Sequence, residues 1–324
     1  MKNQFTYIKS IVKSAIVFVG LLGLPLSSVS AQLDYTVSTV AGTGDGGFMD
    51  GDSATALFRS PRGITVDDSG VLFVTDFFNH RIRRIDIDGN VSTIAGTGTS
   101  GFTDGDAATA QFSNPLGITV DDNGILFVAD AGNHSIRRID TEGNVSTIAG
   151  TGTPGFMDGD AATAQFSFPG EITVDDDGIL FVADLGNHSI RRVDTDGNIS
   201  TIAGTGTFGF VDGDAAAQFS NPAGITVDDS GVLYIADQSN HSIRRIGTDG
   251  NVSTIAGTGT SGSIDGDATT AQFNFPLGIT VNDNGILFVA DSGNNSIRRL
   301  TPEACRNPDI LITQSADTTI TAVN

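Results

Sequence analysis

The chain has 324 residues, 39% of them hydrophobic, and sets 17 Lys and Arg against 38 Asp and Glu for a net charge of −21. A surface this acidic repels nucleic acid and anionic lipid, which argues against both as partners. A single cysteine, Cys305, rules out an intrachain disulfide.

Residues 1–31 read as a cleavable export signal. Lys2, Lys9 and Lys13 form a positive start, an apolar run from Ala15 to Leu26 follows, and Val29-Ser30-Ala31 is a small-residue cleavage site. The run, about 12 residues, is too short to cross a hydrocarbon core of about 30 Å. No other segment is apolar enough to span, so the expectation is a secreted, periplasmic or cell-surface protein with no membrane insertion once the signal is removed. Cleavage would leave 14 Arg, no Lys and all 38 acids, a net charge of −24. All but three of those acids are Asp, a residue that favours turns and caps.

Residues 32–301 repeat. Pro61, Pro115, Pro169, Pro222 and Pro276 recur at intervals of 54, 54, 53 and 54, each inside the same text. In the second copy, four β-rich runs (117–120, 125–129, 135–139 and 145–149) are separated by turns bearing Gly and Asn, which supply the positive φ of tight hairpins. The run Ile125-Leu126-Phe127-Val128 is apolar on both faces. A lone four-stranded sheet cannot cover both, so each sheet must lie between neighbours. Radial stacking of four-stranded blades achieves this and leaves few edges. The fold class is therefore all-β, a β-propeller. The opening segment Tyr35-Thr-Val-Ser-Thr-Val-Ala-Gly42 matches Val-Ser-Thr-Ile-Ala-Gly, the fourth strand of a copy, whereas the fifth copy lacks one. An N-terminal strand completing the last blade gives five blades; six is the alternative.

The pieces Pro-x-Gly-Ile-x-Val-Asp, Val-Ala-Asp-x-x-Asn-His-x-Ile-Arg-Arg and Val-Ser-Thr-Ile-Ala-Gly resemble NHL repeats, over about residues 35–300. Ser or Arg stands here where the family name has Leu. The resemblance implies a propeller and no particular activity, since folds host many functions.

His80, His134, His188 and His241 share one repeat position, with Asn295 in the fifth copy. Lyases related to these propellers hold a central metal through His, but equivalent turns on adjacent blades lie too far apart to meet on one ion with bonds of about 2 Å. A structural hairpin role is expected, and no metal, cofactor or catalytic residue is assigned. Asp76, Asp130, Asp184, Asp237 and Asp291 each precede an Arg-Arg pair, and one Arg should meet the Asp across neighbouring strands. The insert between blades carries Asp-Gly-Asp at Asp50/Asp52, Asp104/Asp106, Asp158/Asp160, Asp212/Asp214 and Asp265/Asp267. Calcium at these loops is one reading. The plainer one has Asp106 capping a short helix over 107–111, with Phe112 packed beside Phe102. No nucleophile motif appears. Residues 302–324 leave the pattern and read as a tail or the start of another domain.

One repeat disagrees with the rest. The first copy has Phe77-Phe78 where others have Ala131-Gly132, Leu185-Gly186, Gln238-Ser239 and Ser292-Gly293, together with Arg59, Arg62 and Arg81. The loop entering the first strand and the loop joining the second and third share one propeller face, so these five should cluster. Arg and aromatic residues are enriched at binding hot spots. The function expected is an extracytoplasmic interaction module that engages a protein or glycan through this face. Two rivals are a metal-dependent hydrolase or lyase resembling gluconolactonase-like propellers and a spacer within a larger surface protein. The hydrolase needs unlike polar residues on the innermost strands, where only Glu171 departs from the repeat.

Overall fold

A computed structural model of the chain describes residues 39–302 except 215. The export signal and the tail beyond residue 302 lie outside the described residues, as do residues 35–38 of the expected N-terminal strand.

Each repeat becomes an antiparallel meander because its apolar runs are cut by turns that the sequence itself closes. Between the first two strands, Asp67 Oδ1 accepts the N–H groups of Ser69 and Val71, and Gly70 takes φ 84°. Blade one is β1 (Pro61–Val66), β2 (Leu72–Asp76), β3 (Arg81–Ile85) and β4 (Val91–Ala95). A two-residue strand, β5 (Gly105–Asp106), lies in the insert and pairs with β9. Blade two is β6 (Pro115–Val120), β7 (Leu126–Asp130), β8 (Ser135–Ile139) and β9 (Asn144–Ala149). Blade three is β10 (Ile172–Val174), β11 (Leu180–Asp184), β12 (Ser189–Val193) and β13 (Ile199–Ala203). Blade four is β14 (Pro222–Val227), β15 (Leu233–Asp237), β16 (Ser242–Ile246) and β17 (Val252–Ala256). Blade five shows β18 (Pro276–Val281), β19 (Leu287–Asp291) and β20 (Ser296–Leu300) among the described residues. The protein is a five-bladed β-propeller with almost no helix.

The core lies between blades. Ile118, Leu126 and Val128 of blade two pack on Ile82 and Ala95 of blade one, with Phe112 of the insert filling the wedge at 0% exposure. Full burial of one such side chain contributes about 1.5–3 kcal/mol. The inner strands pack in sequence, β1 on β6, β6 on β10, β10 on β14 and β14 on β18. They approach so closely that a Cβ on Gly117 would fall 2.6 Å from the Gly170 carbonyl, so only glycine fits there.

The fifth seam differs. Ile118, Ile172, Ile225 and Ile279 are at most 9% exposed, whereas their counterpart Ile64 in β1 is 59% exposed. On the facing side, Ile82, Ile136, Ile190 and Ile243 are fully buried and Ile297 in β20 is 72% exposed. Thr39–Gly42 nevertheless occupy the place against blade one that the end of a fourth strand takes against the next blade. The Gly42 N–H donates to the Ser53 carbonyl, as the Gly96 N–H donates to the Ala107 carbonyl.

Candidate functional site

Most charged residues of the repeat are used up by architecture. In blade two the fully buried Arg137 donates from Nη1 to Asp130 Oδ2 at 2.8 Å and to the Gln111 carbonyl. From Nη2 it donates to the Thr103 carbonyl and to Asp104 Oδ1. The rings of Phe102 and Phe112 flank the guanidinium at 5.2 and 5.0 Å. Asn133, of the Asn-His pair, donates to Asp130 Oδ2 and to the Gly101 carbonyl, tying the insert down. The same Asp–Arg pair stands at Asp76–Arg83, Asp184–Arg191, Asp237–Arg244 and Asp291–Arg298. Burial pushes Asp130, Asp184 and Asp237 up to about 6, opposed by their Asn, backbone N–H and Arg donors.

The Asp-Gly-Asp loops have the same explanation. The first acid of each (Asp50, Asp104, Asp158, Asp212, Asp265) pairs with the buried arginine of its blade. In blades one to four it also accepts the N–H and hydroxyl of a threonine, as Asp104 does from Thr147. The arginine and threonine thus hold the carboxylate that a calcium reading would give to the ion. Burial works to raise Asp104, but these donors outweigh it and hold the carboxyl below its usual value. The second acid closes a turn, with the Thr109 and Ala110 N–H groups donating to the Asp106 carbonyl. The helix expected over 107–111 is therefore only a turn at residues 107–109, because so short a segment cannot repay helix nucleation.

The histidines bind blade to blade. Each follows a short 3₁₀ turn and adopts left-handed φ, 51–52°. Their Nδ1 atoms accept N–H groups from the next blade: His80 from Asn114, His134 from Phe168, His188 from Asn221 and His241 from Phe275, at 3.0–3.1 Å. Burial lowers His80, His134 and His188, with Arg81 and Arg59 adding to the effect at His80. Among the described residues no three His, Cys, Asp or Glu side chains stand close enough to share an ion.

Blade one departs from this economy. The Arg59 N–H is held by Asp76 Oδ1 at 2.7 Å, and the Phe78 N–H donates to the Arg59 carbonyl at 3.2 Å. The equivalent bond is 2.8 Å at Gly132 and 2.7 Å at Gly293, so the backbone yields slightly to take the phenylalanine. The chain thereby sets the side chains of residues 59 and 78 together. Arg59 lies 5.7 Å from the Phe78 ring, Arg62 lies 5.3 Å from the Phe77 ring, and the rings meet edge-on at 4.8 Å. Arg59, Arg62 and Phe78 are exposed and Phe77 is half-buried. Neither Arg59 nor Arg62 has a carboxylate within 4 Å among the described residues, in contrast to every buried arginine. Stacked guanidinium groups keep their in-plane donors free for a partner.

Arg81 does not join them. It turns away onto Phe48, 3.6 Å from the ring, and donates to the Thr97 and Asn79 carbonyls. Sequence reasoning missed Phe48, in the insert, and Thr75. Thr75 stands where the other blades have Ala; its hydroxyl donates to the Leu116 carbonyl of blade two and accepts the Gly63 N–H, fixing the strand next to Arg62. Phe168 and Phe275, in the equivalent loops of blades three and five, add 36% and 46% exposed aromatic surface on the same face. On the inner strands, burial pushes Glu171 up to about 8, with a single opposing hydrogen bond from the Ile118 N–H.

The NHL repeat pattern matches residues 58–85, 112–139, 219–246 and 273–300. This is an NHL-repeat β-propeller. The third copy, where Pro169 is followed by Gly170-Glu171, is not among the matched spans. Relatives of this NHL propeller include Protein SUPPRESSOR OF QUENCHING 1 of Arabidopsis thaliana, 31% identical over 84% of the chain and 28% of that protein. NHL repeat-containing protein 2 of Bos taurus is 30% identical over 84% of the chain and 42% of its own length. The chain thus spans less than half the length of these relatives. Among solved structures, an auxiliary nutrient binding protein from Bacteroides ovatus superposes with a TM-score of 0.53 at 18% identity, over 81% of this chain and 75% of that one. A nidogen/laminin complex gives 0.53 at 18% identity, over 74% and 75%. Both show the shared fold.

Proposed function

We propose that this NHL propeller is an exported recognition module that engages a protein or glycan through the face bearing Arg59, Arg62, Phe77 and Phe78. One observation carries the reading: two exposed arginines, set beside adjacent phenylalanines and with no acid within 4 Å among the described residues, stand in a chain whose buried repeat arginines are each paired with Asp. Architecture accounts for the repeated Asp, inner Arg, Asn and His, and the residues that break the repeat in blade one stand outside that scheme. An aromatic and arginine cluster of this kind is the composition of a binding hot spot, with an electron-rich or acidic group as its complement.

The test is capture of partners from the native envelope with wild type and with a variant carrying Arg59→Ser, Arg62→Leu, Phe77→Ala and Phe78→Gly, which restores the repeat's own text. The variant should fold with an unchanged melting temperature and lose the captured species. Equal capture by an equally stable variant refutes the site.

A further inference from the structure

We infer that the partner of the Arg59 and Phe78 patch is a second copy of this chain, which docks the tip of its β3–β4 turn, Asp86-Ile87-Asp88, against that patch. The inference rests on the reading of the patch as a binding surface and names what fills it.

The antiparallel meander sends its turns to two faces. The β2–β3 turns and the loops entering the first strands lie on the face of Arg59 and Arg62, and the β1–β2 and β3–β4 turns lie on the opposite one. Charge follows this division. Among the described residues, the nine opposite-face turns, from 67–70 to 282–285, hold seventeen of the 38 acids and no Arg or Lys. Outside the buried Asp–Arg pairs, the loops of the Arg59 face hold one acid, Asp45. The two faces stand one strand length apart, about 17–20 Å, whereas charges are screened over about 8 Å at physiological salt. A ligand on the arginine face is therefore drawn by the arginines and little opposed by the distant acids. The chain's own opposite face supplies the complementary charge.

Ile87 is the apolar half of that complement. The equivalent turns carry Thr141, Thr195 and Thr248, so blade one breaks the repeat on this face too. Ile87 is 75% exposed, the most of any large hydrophobic side chain among the described residues, and Asp88 beside it is exposed. The tip is held in one shape, because Asp86 Oδ1 accepts the N–H groups of Asp88 and Asn90 at 3.0 and 2.8 Å. A tip already ordered in the free protein loses little freedom on docking. In the contact, Ile87 meets Phe77 and Phe78, and Asp88 meets the guanidinium donors of Arg59 and Arg62. Patch and tip lie at opposite ends of blade one, so a shift of one copy along the propeller axis brings them together. Such a contact is head-to-tail and leaves a free patch at one end and a free tip at the other, so copies add in a row.

The experiment is sedimentation velocity of the purified protein at physiological salt over a concentration series. One variant, Arg59→Ser, Arg62→Leu, Phe77→Ala and Phe78→Gly, removes the patch; another, Ile87→Thr with Asp88→Asn, removes the tip. Head-to-tail docking predicts a wild-type sedimentation coefficient that rises with concentration, and two variants that each stay monomeric. An equimolar mixture of the variants should recover dimers and stop there, because each pair holds one intact patch and one intact tip. A wild type that stays monomeric throughout overturns the inference. Self-association of either variant alone also overturns it, as does a mixture that stays monomeric. None of these results bears on capture of another protein or glycan by the patch, which the partner-capture comparison reads separately.

Discussion

Arg191→Leu is the sharpest perturbation of the architecture. Arg191 and Asp184 both have fully buried side chains and meet at 2.8 Å. Arg191 also donates to the Gln165 and Met157 carbonyls and to Asp158, between the rings of Phe156 and Phe166. Leucine restores packing volume and none of those donors. Asp184 keeps Asn187 and the Ser167 N–H but loses the Arg191 guanidinium, and two carbonyls lose a donor. Breaking a buried pair from one side costs about 3–5 kcal/mol. At about 2–4 °C per kcal/mol for a domain of this size, the melting temperature should fall by about 10 °C. Arg192, the next residue, is half-buried with no acid partner within 4 Å among the described residues, and Arg192→Leu should cost under about 1 kcal/mol. Calorimetry and urea unfolding followed by two probes measure both variants side by side. Equal losses for Arg191→Leu and Arg192→Leu would refute the assignment of the inner arginine as the blade's anchor.

Further predictions concern pH and the chain start. Folded Glu171 titrates about 8 against an ordinary 4.5, so the folded state holds its proton while the unfolded state has lost it. Stability should therefore decline as pH rises from about 4.5 to 8, and Glu171→Gln should flatten that decline in pH-resolved denaturant melts. His80, His134 and His188 have lowered folded values and must be neutral at Nδ1 to accept their interblade bonds. Their contribution is present above the unfolded value near 6.5 and is lost as pH falls through the folded values, so His134→Asn with His188→Asn should melt less steeply with acid than wild type. Deleting residues 35–42 should sharply lower thermal stability, whereas an unchanged melting temperature would show that this segment covers no seam.

Most of the architecture is legible in the repeat alone. Strand limits follow from period-two apolar runs between Gly and Asn turns, and the observed β6 to β9 begin or end within two residues of the expected ones. The Asp–Arg pair is also readable, since a charge on a strand buried on both faces must be matched. Its third member is not: Asp104 lies 33 residues from Arg137, and only the folded insert brings them together. The histidine's bond to the next blade is hidden for the same reason, because repeat spacing says which positions are equivalent and not which neighbours meet. Arg81 departs from the expected cluster. A substitution pattern marks that residue as unusual, but its direction is set by Phe48, whose ring it covers.

The central claim is that the residues breaking the repeat in blade one form the binding surface. It is tested most directly by calorimetric titration of a purified captured partner against wild type and the variant with Arg59→Ser, Arg62→Leu, Phe77→Ala and Phe78→Gly, at low and at physiological salt. Loss of a hot-spot cluster costs at least about 2 kcal/mol, so the account predicts a Kd at least about thirtyfold weaker for the variant and a shallower salt dependence. The same Kd and salt slope for both proteins would contradict it.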